Sequence, residues 1–179
     1  SMGDLERGWA MHESRRRIAS LHDTARRFAA PLWLGDTPID GRTVHLYAEQ
    51  GLGDTIQFCR YARVLADRGA RVVLEVQPPL LGLLGHLDGT ERVIARGRED
   101  PPADLRCPLL SLPFACRTTL ATIPAPRAYL KPDAALVERW AAVIGPGDAP
   151  RIGLAWSGNP KHPDDHRQPS FRHLVAQTV

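Results

Sequence analysis

The sequence predicts an α/β protein: a mostly parallel sheet with helices on both faces, preceded by a helical segment. Three observations carry this. From Thr43 onward, short β-type runs alternate with amphipathic runs of helical period. The run ARVVLEV is almost continuously apolar, as a strand covered on both faces should be. The glycine-bearing stretch AEQGLGDTIQF joins the first strand to the first helix of this pattern. That junction, beyond the carboxyl end of a strand, is where such sheets hold ligands.

The elements follow in order. Residues 4–29 read as helical, with Leu5, Trp9, Ile18, Leu21, Ala25 and Phe28 on one apolar face, and Pro31 ends the pattern. PLWLGDTPIDGRT is a turn-rich connector with a tight turn at Asp40-Gly41. TVHLYAE is the first strand, in which His45 alternates with Val44 and Leu46 and falls on its polar face. GLGD is a turn, and DTIQFCRYARVLADRG is one amphipathic helix. Ile56, Phe58, Cys59, Ala62 and Leu65 turn inward on it, and Gly69 is its stop signal. ARVVLEV is the second strand, and PPLLGLLGHL starts with proline where a helix tolerates it. RVIAR is a third strand and ADLRCPLLSLP contains a fourth. DAALVERWAAVIG is a helix ending at Gly145-Pro146, RIGLAW a further strand, and SFRHLVAQTV the start of a helix.

The bulk composition fits a packed globular protein. The 179 residues are 43% hydrophobic and 24% charged with both signs mixed, but only 6% aromatic, so the core is expected to be Leu, Val, Ile and Ala. The net charge of +3 comes largely from Arg15-Arg16-Arg17 and Arg26-Arg27. No aromatics interleave with these arginines at a fixed spacing, so they read as solvated helix faces and no nucleic-acid partner is expected. The three cysteines, Cys59, Cys107 and Cys116, are odd in number and form no CxxC pair. Neither a disulfide framework nor a zinc site is suggested; Cys59 reads as a small core residue, and a cytoplasmic location is expected. No apolar run approaches the ~20 residues of a membrane span, and the start, SMGDLERGW, is too polar for a secretory signal.

The glycine turn has competing readings. A dinucleotide fingerprint would use Gly51 and Gly53, and Glu75 lies about twenty residues beyond, as a ribose-binding acid would. Ile56 stands where the third glycine belongs, and a carboxylate at Asp54 would repel a pyrophosphate. Asp54 itself is either a helix-start acid that accepts backbone N–H groups or an exposed base for a substrate hydroxyl. The other polar junction, SGNPKHPDDHR, offers Ser157, Gly158 and Asn159 as hydroxyl and backbone donors and Lys161 and Arg167 as cations. It is also what a polar surface loop looks like. Pro163 interrupts His162, Asp164, Asp165 and His166, so no metal site is expected there.

Four stretches together resemble one group of proteins: AEQGLGDTIQFCRYARVLADRGARVVLEVQPPLLGLL, CPLLSLP, RAYLKPD and IGLAWSGNPKHPDDHR. They are similar to the glycosyltransferase-type region of bacterial tetratricopeptide-repeat proteins. That region in turn resembles the heptosyltransferases, GT-B enzymes of glycosyltransferase family 9. The resemblance covers about residues 30–173, and the helices around Trp9 and Glu13 resemble the end of a repeat array.

The resemblance implies a Rossmann-like acceptor-side domain at 31–150, after a helical segment at 1–30, and the truncated start of a second Rossmann-like domain at 151–179. It places Asp54 where the family holds its catalytic carboxylate, with Gln50, Gly51, Gly53 and Thr55 as acceptor-binding neighbours. Ser157, Gly158, Asn159, Lys161 and Arg167 would face the donor phosphates, Arg167 with the better claim. No metal or cofactor is required if basic side chains and helix N-termini neutralise those phosphates. The implied partners are an acceptor glycan or protein, and a nucleotide sugar only where a second domain is complete. Such a domain needs about a hundred residues or more, so transfer by this chain alone is not expected. An apolar strand left at an edge would favour a homodimer. The implied location is cytoplasmic or peripheral at the inner membrane. The alternative is a non-catalytic Rossmann-like interaction module of a repeat protein.

Overall fold

The computed structural model describes residues 3–17, 28–97, 100–126 and 128–147. The chain divides into two compact units, residues 1–137 and 138–179.

The first unit is built on four parallel strands: β1 (Thr43–Tyr47), β2 (Arg71–Val76), β3 (Arg92–Ala95) and β4 (Leu105–Pro108). Their order in the sheet is β3-β2-β1-β4. His45 pairs with Val73 on one side and Arg106 on the other, and Glu75 pairs with Ile94. The α/β expectation of a Rossmann-like parallel sheet with helices around it, preceded by a helical segment, is met.

Alternation along the strands divides the sheet into two unlike faces. Val44, Leu46, Val72, Leu74, Val76, Leu105 and Cys107 share the apolar face. They form one core with Cys59, Ala62 and Leu65 from the first helical region and with Leu84, Leu109 and Leu112 further on. The opposite face carries His45, Tyr47, Val73, Glu75, Ile94 and Arg106. Phe28 lies over it, 4.6 Å from the Tyr47 ring between centroids and 4.7 Å beneath the Arg106 guanidinium. In β2, between β1 and β3, every residue but Arg71 is buried.

The helices follow the sequence pattern with two differences. The helix expected over residues 54–69 starts earlier and breaks into α2 (Leu52–Phe58) and α3 (Tyr61–Ala66). At the break, the Arg60 guanidinium donates to Gln57 O at 2.7 Å and Cys59 Sγ to Ile56 O at 3.1 Å, drawing carbonyls toward side chains. The helical segment before the sheet contains α1 (Leu5–His12), capped by Asp4, and passes into a 3-10 turn at Glu13–Arg17. Its continuation to residue 27 lies outside the described residues.

Other punctuation falls where it was expected. Gly69 ends α3 in a left-handed conformation at φ 83°, with Ala70 N–H bonding back to Leu65 O at 3.1 Å. Arg42 N–H closes the Asp40-Gly41 turn onto Ile39 O at 3.0 Å. The connector does more than turn: Leu32 bridges to Arg106 in parallel register, so residues 31–33 cover the outer edge of β4. A proline-started 3-10 turn (Pro78–Leu80) leads into α4 (Leu81–Leu84), and a similar turn (Leu109–Ser111) leads into α5 (Leu112–Ala115).

Helix α6 runs from Ala134 to Ile144, and Asp133 caps it by accepting the Leu136 N–H at 2.9 Å. The second unit is described only over 138–147, where Gly145 closes α6 at φ 72°. RIGLAW and SFRHLVAQTV lie outside the described residues.

Candidate functional site

The strand order creates one special place. The chain winds outward from β1 through β2 to β3, then returns to the other side of β1 for β4. The connections leaving β1 and β4 therefore diverge at their carboxyl ends, the position where open α/β sheets leave a ligand crevice. One lip is residues 48–54; the other is the Leu109–Ser111 turn, against which α2 packs.

On the first lip, Asp54 sits in the first turn of α2, and its Oδ2 accepts the Gly51 N–H at 3.1 Å. Thr55 is buried; its hydroxyl donates to Gln77 Oε1 at 2.9 Å. Gln77 Nε2 donates in turn to Gln50 O at 2.7 Å. The end of β2 thus pins the turn leaving β1. The chemistry of Thr55 and Gln50 visible here is scaffolding, and Asp54 is half-buried on this lip.

The two glycines behave differently from what their spacing suggests. A sharp glycine-dependent turn is not found. Gly51 has φ −67° and ψ 168°, extended backbone open to any residue. Gly53 lies inside α2 with ordinary backbone, and a Cβ built on it would meet nothing within 4 Å. A Cβ on Gly51 would come within 3.2 Å of Asp54 Oδ2, so the cap crowds that position, whereas the fold does not require Gly53 to lack a side chain.

The helical segment reaches this crevice. The triple arginine, expected to be a solvated face, divides: Arg15 is only 6% exposed. Its Nε and Nη2 donate to Glu49 Oε1 at 3.1 and 2.6 Å, on the β1 lip. Nη2 also donates to Ser111 Oγ at 2.8 Å, on the β4 lip. Nη1 donates to Glu13 Oε1 at 2.8 Å, and Ser111 Oγ donates to Glu13 Oε2 at 2.9 Å, closing a ring. Burial works against the Arg15 charge, but the hydrogen bonds it donates to Glu13 and Glu49, and their negative charges, outweigh it and raise the pKa above its usual value. The half-buried His12 ring lies beside this network, with Nδ1 3.5 Å from Arg15 Nη1. Desolvation and the neighbouring guanidinium lower the pKa of His12, while Glu13, Glu49 and Asp54 act in the opposite sense.

Sequence reasoning named Gln50, Gly51, Gly53, Asp54 and Thr55, and the fold gathers them on one lip. It missed His12, Glu13, Arg15, Glu49 and Ser111. Ser111 had a faint signal, a lone hydroxyl inside the apolar run PLLSLP. Ser157, Gly158, Asn159, Lys161 and Arg167 lie outside the described residues. Glu75, weighed as a ribose-binding acid, points instead into the covered polar face of the sheet and is fully buried. His45 lies beside it, 1% exposed, with Nε2 3.3 Å from Glu75 Oε2 but not aligned for a hydrogen bond.

A separate cavity of about 720 Å³ lies among α1, the connector and α5, lined by Trp9, Leu34, Phe114 and Arg117 among others. None of the sequence-predicted site residues lines it. Among the described residues, no group of three or more His, Cys, Asp or Glu is arranged to hold a metal, and no helix is long and apolar enough to cross a membrane. No family model matches the chain, and no curated protein or solved structure matches it.

Proposed function

We propose that the chain is the acceptor-side half of a GT-B glycosyltransferase-like protein, with Asp54 as general base on an acceptor hydroxyl. The supporting observation is Gly53. It stands directly before an acid at the switch point of the sheet, in ordinary helical backbone where a Cβ would meet nothing within 4 Å, so neither conformation nor packing demands glycine there. Glycine within a helix costs about 1 kcal/mol relative to alanine. Close approach of a ligand to the backbone is the remaining physical reason to keep it.

In this reading the acceptor lies over the glycines and Asp54 takes its proton. The freed oxygen attacks the anomeric carbon of a nucleotide sugar, and the nucleoside diphosphate leaves. The donor half requires a complete second domain, to which Ser157, Gly158, Asn159, Lys161 and Arg167 would contribute. The same reading puts the protein in the cytoplasm or at the inner membrane face, downstream of a repeat array.

Calorimetric titration with ADP-, GDP- and UDP-sugars tests this on the present chain and on one extended through a complete second Rossmann-like domain. Binding to the extended chain alone is the expected result. No binding to either contradicts it and favours the second reading, a non-catalytic interaction module. The observation on that side is the closed Arg15 network, which already spans the crevice.

A further inference from the structure

We propose that the cavity among α1, the connector and α5 binds a small zwitterion with an aromatic body, a free aromatic amino acid or a short peptide that carries one. The inference is independent of the glycosyltransferase reading, since none of Gln50, Gly51, Gly53, Asp54 or Thr55 lines this cavity.

The cavity has fixed walls. Its volume of about 720 Å³ falls in the range of small-molecule sites. The connector meets α5 backbone to backbone: Gly35 has φ 87°, and a Cβ there would collide with the Ala115 carbonyl. α1 is tied to the residues after α5 by Trp9, whose Nε1–H donates to Thr118 O at 3.1 Å. Thr118 is itself buried, its hydroxyl 2.9 Å from the Tyr61 hydroxyl on α3. The Trp9 ring is therefore held with its polar edge satisfied, and it shares the lining with Leu34, Pro113 and Phe114. An aromatic side chain suits such a surface by stacking and apolar burial.

Two opposite charges stand on this apolar lining without protein partners. Arg117 carries the sharper signal. α5 ends in a Schellman turn, with Arg117 N–H bonding to Phe114 O at 3.0 Å and Thr118 N–H to Pro113 O at 2.9 Å. The turn puts Arg117 at φ 52°, a left-handed conformation that favours glycine; no other non-glycine residue adopts it among the described residues. A helix of four residues offers a cation little dipole. The Arg117 guanidinium makes no hydrogen bond or ion pair among the described residues. Backbone and packing therefore give no reason for arginine over glycine here. A ligand carboxylate, which a guanidinium fork takes in two parallel hydrogen bonds, supplies one.

On α1, Glu6 lines the same cavity, exposed and likewise unpaired among the described residues. The remaining charge, Asp36, is occupied: its Oδ1 accepts the Leu34 N–H at 3.3 Å. A purely anionic ligand would meet two carboxylates, and a purely cationic one would meet the arginine. A ligand with one group of each sign matches both free charges.

The test follows the Trp9 indole N–H and the Arg117 amide by NMR in the whole chain. L-phenylalanine and L-alanyl-L-phenylalanine at millimolar concentration should shift both signals saturably, and the tighter of the two identifies the source. Phenylalaninamide lacks the carboxylate and N-acetylphenylalanine lacks the ammonium; each should bind about tenfold more weakly than phenylalanine. Arg117→Gly should keep or raise the urea midpoint, because glycine favours this backbone. It should weaken phenylalanine about tenfold and leave phenylalaninamide unchanged. Glu6→Gln should weaken phenylalanine and spare N-acetylphenylalanine. No saturable shift with either probe overturns the site. Equal binding of the probes that lack a charge, or full affinity for phenylalanine in Arg117→Gly, overturns the zwitterion. A lowered urea midpoint in Arg117→Gly assigns that arginine to the fold and overturns its role as the carboxylate anchor.

Discussion

Asp54 Oδ2 accepts the Gly51 backbone N–H at 3.1 Å, closing the turn that carries the chain from β1 into α2. The same carboxylate is thus a helix-start acid and the base of the proposed mechanism. The two roles separate by substitution. Asparagine keeps an oxygen for the Gly51 N–H but has no basicity. Asp54→Asn should change unfolding stability by less than about 0.5 kcal/mol, and Asp54→Ala should lose about 1 kcal/mol. Urea unfolding of the two variants checks this.

The glycines offer a matched pair. Gly53→Ala should stabilise the chain by about 0.5–1 kcal/mol, since it replaces an unconstrained glycine in a helix with open space around it. Gly69→Ala should destabilise by about 2 kcal/mol or more. Gly69 sits at φ 83°, and a Cβ there would collide with the Asp40 carboxylate. A destabilised Gly53→Ala would mean that the fold, and not a ligand, requires that glycine.

Removing Glu75 should be expensive. It is fully buried beside His45, with their nearest nitrogen and oxygen 3.3 Å apart. Glu75→Ala should cost about 1–3 kcal/mol, the usual penalty for losing a buried, partnered polar group. Chemical denaturation measures it.

The thiols give a pH signature. Burial pushes Cys59 up to about 12 from an ordinary 9.0, and Cys116 to about 11. The unfolded chain then holds fewer protons than the folded one between these values. Stability should be full below pH 9 and fall as pH rises through that window, with Tyr47, also pushed to about 12 by burial, adding to the loss above 10. Thiol labelling at pH 8 should leave Cys59 and Cys107 unmodified until denaturant is added, since both are buried.

The sheet was legible because its signals are local. The continuous apolar run at β2, the alternation in β1 and the glycine at 69 each report a backbone state that neighbouring residues determine. The break between α2 and α3 was not legible, because Arg60 and Cys59 compete for carbonyls through side-chain positions that helical periodicity does not encode. The site split the same way. Asp54 and its glycines are contiguous and were found together. Arg15, Glu49 and Ser111 are 34 and 96 residues apart along the chain and meet only through the topology. In sequence, nothing distinguishes Arg15 from Arg16 and Arg17; burial alone separates them.

In the proposed function Asp54 acts on a ligand hydroxyl at the switch point. The most direct test is release of nucleoside diphosphate from a nucleotide sugar in the presence of glycan acceptors. It compares the domain-extended chain with its Asp54→Asn variant, both confirmed folded by urea titration. Asp54→Asn should lose about 10²–10⁴-fold in rate, the usual contribution of a general base. An unchanged rate in Asp54→Asn, or no turnover by the unsubstituted protein with any acceptor, would contradict it.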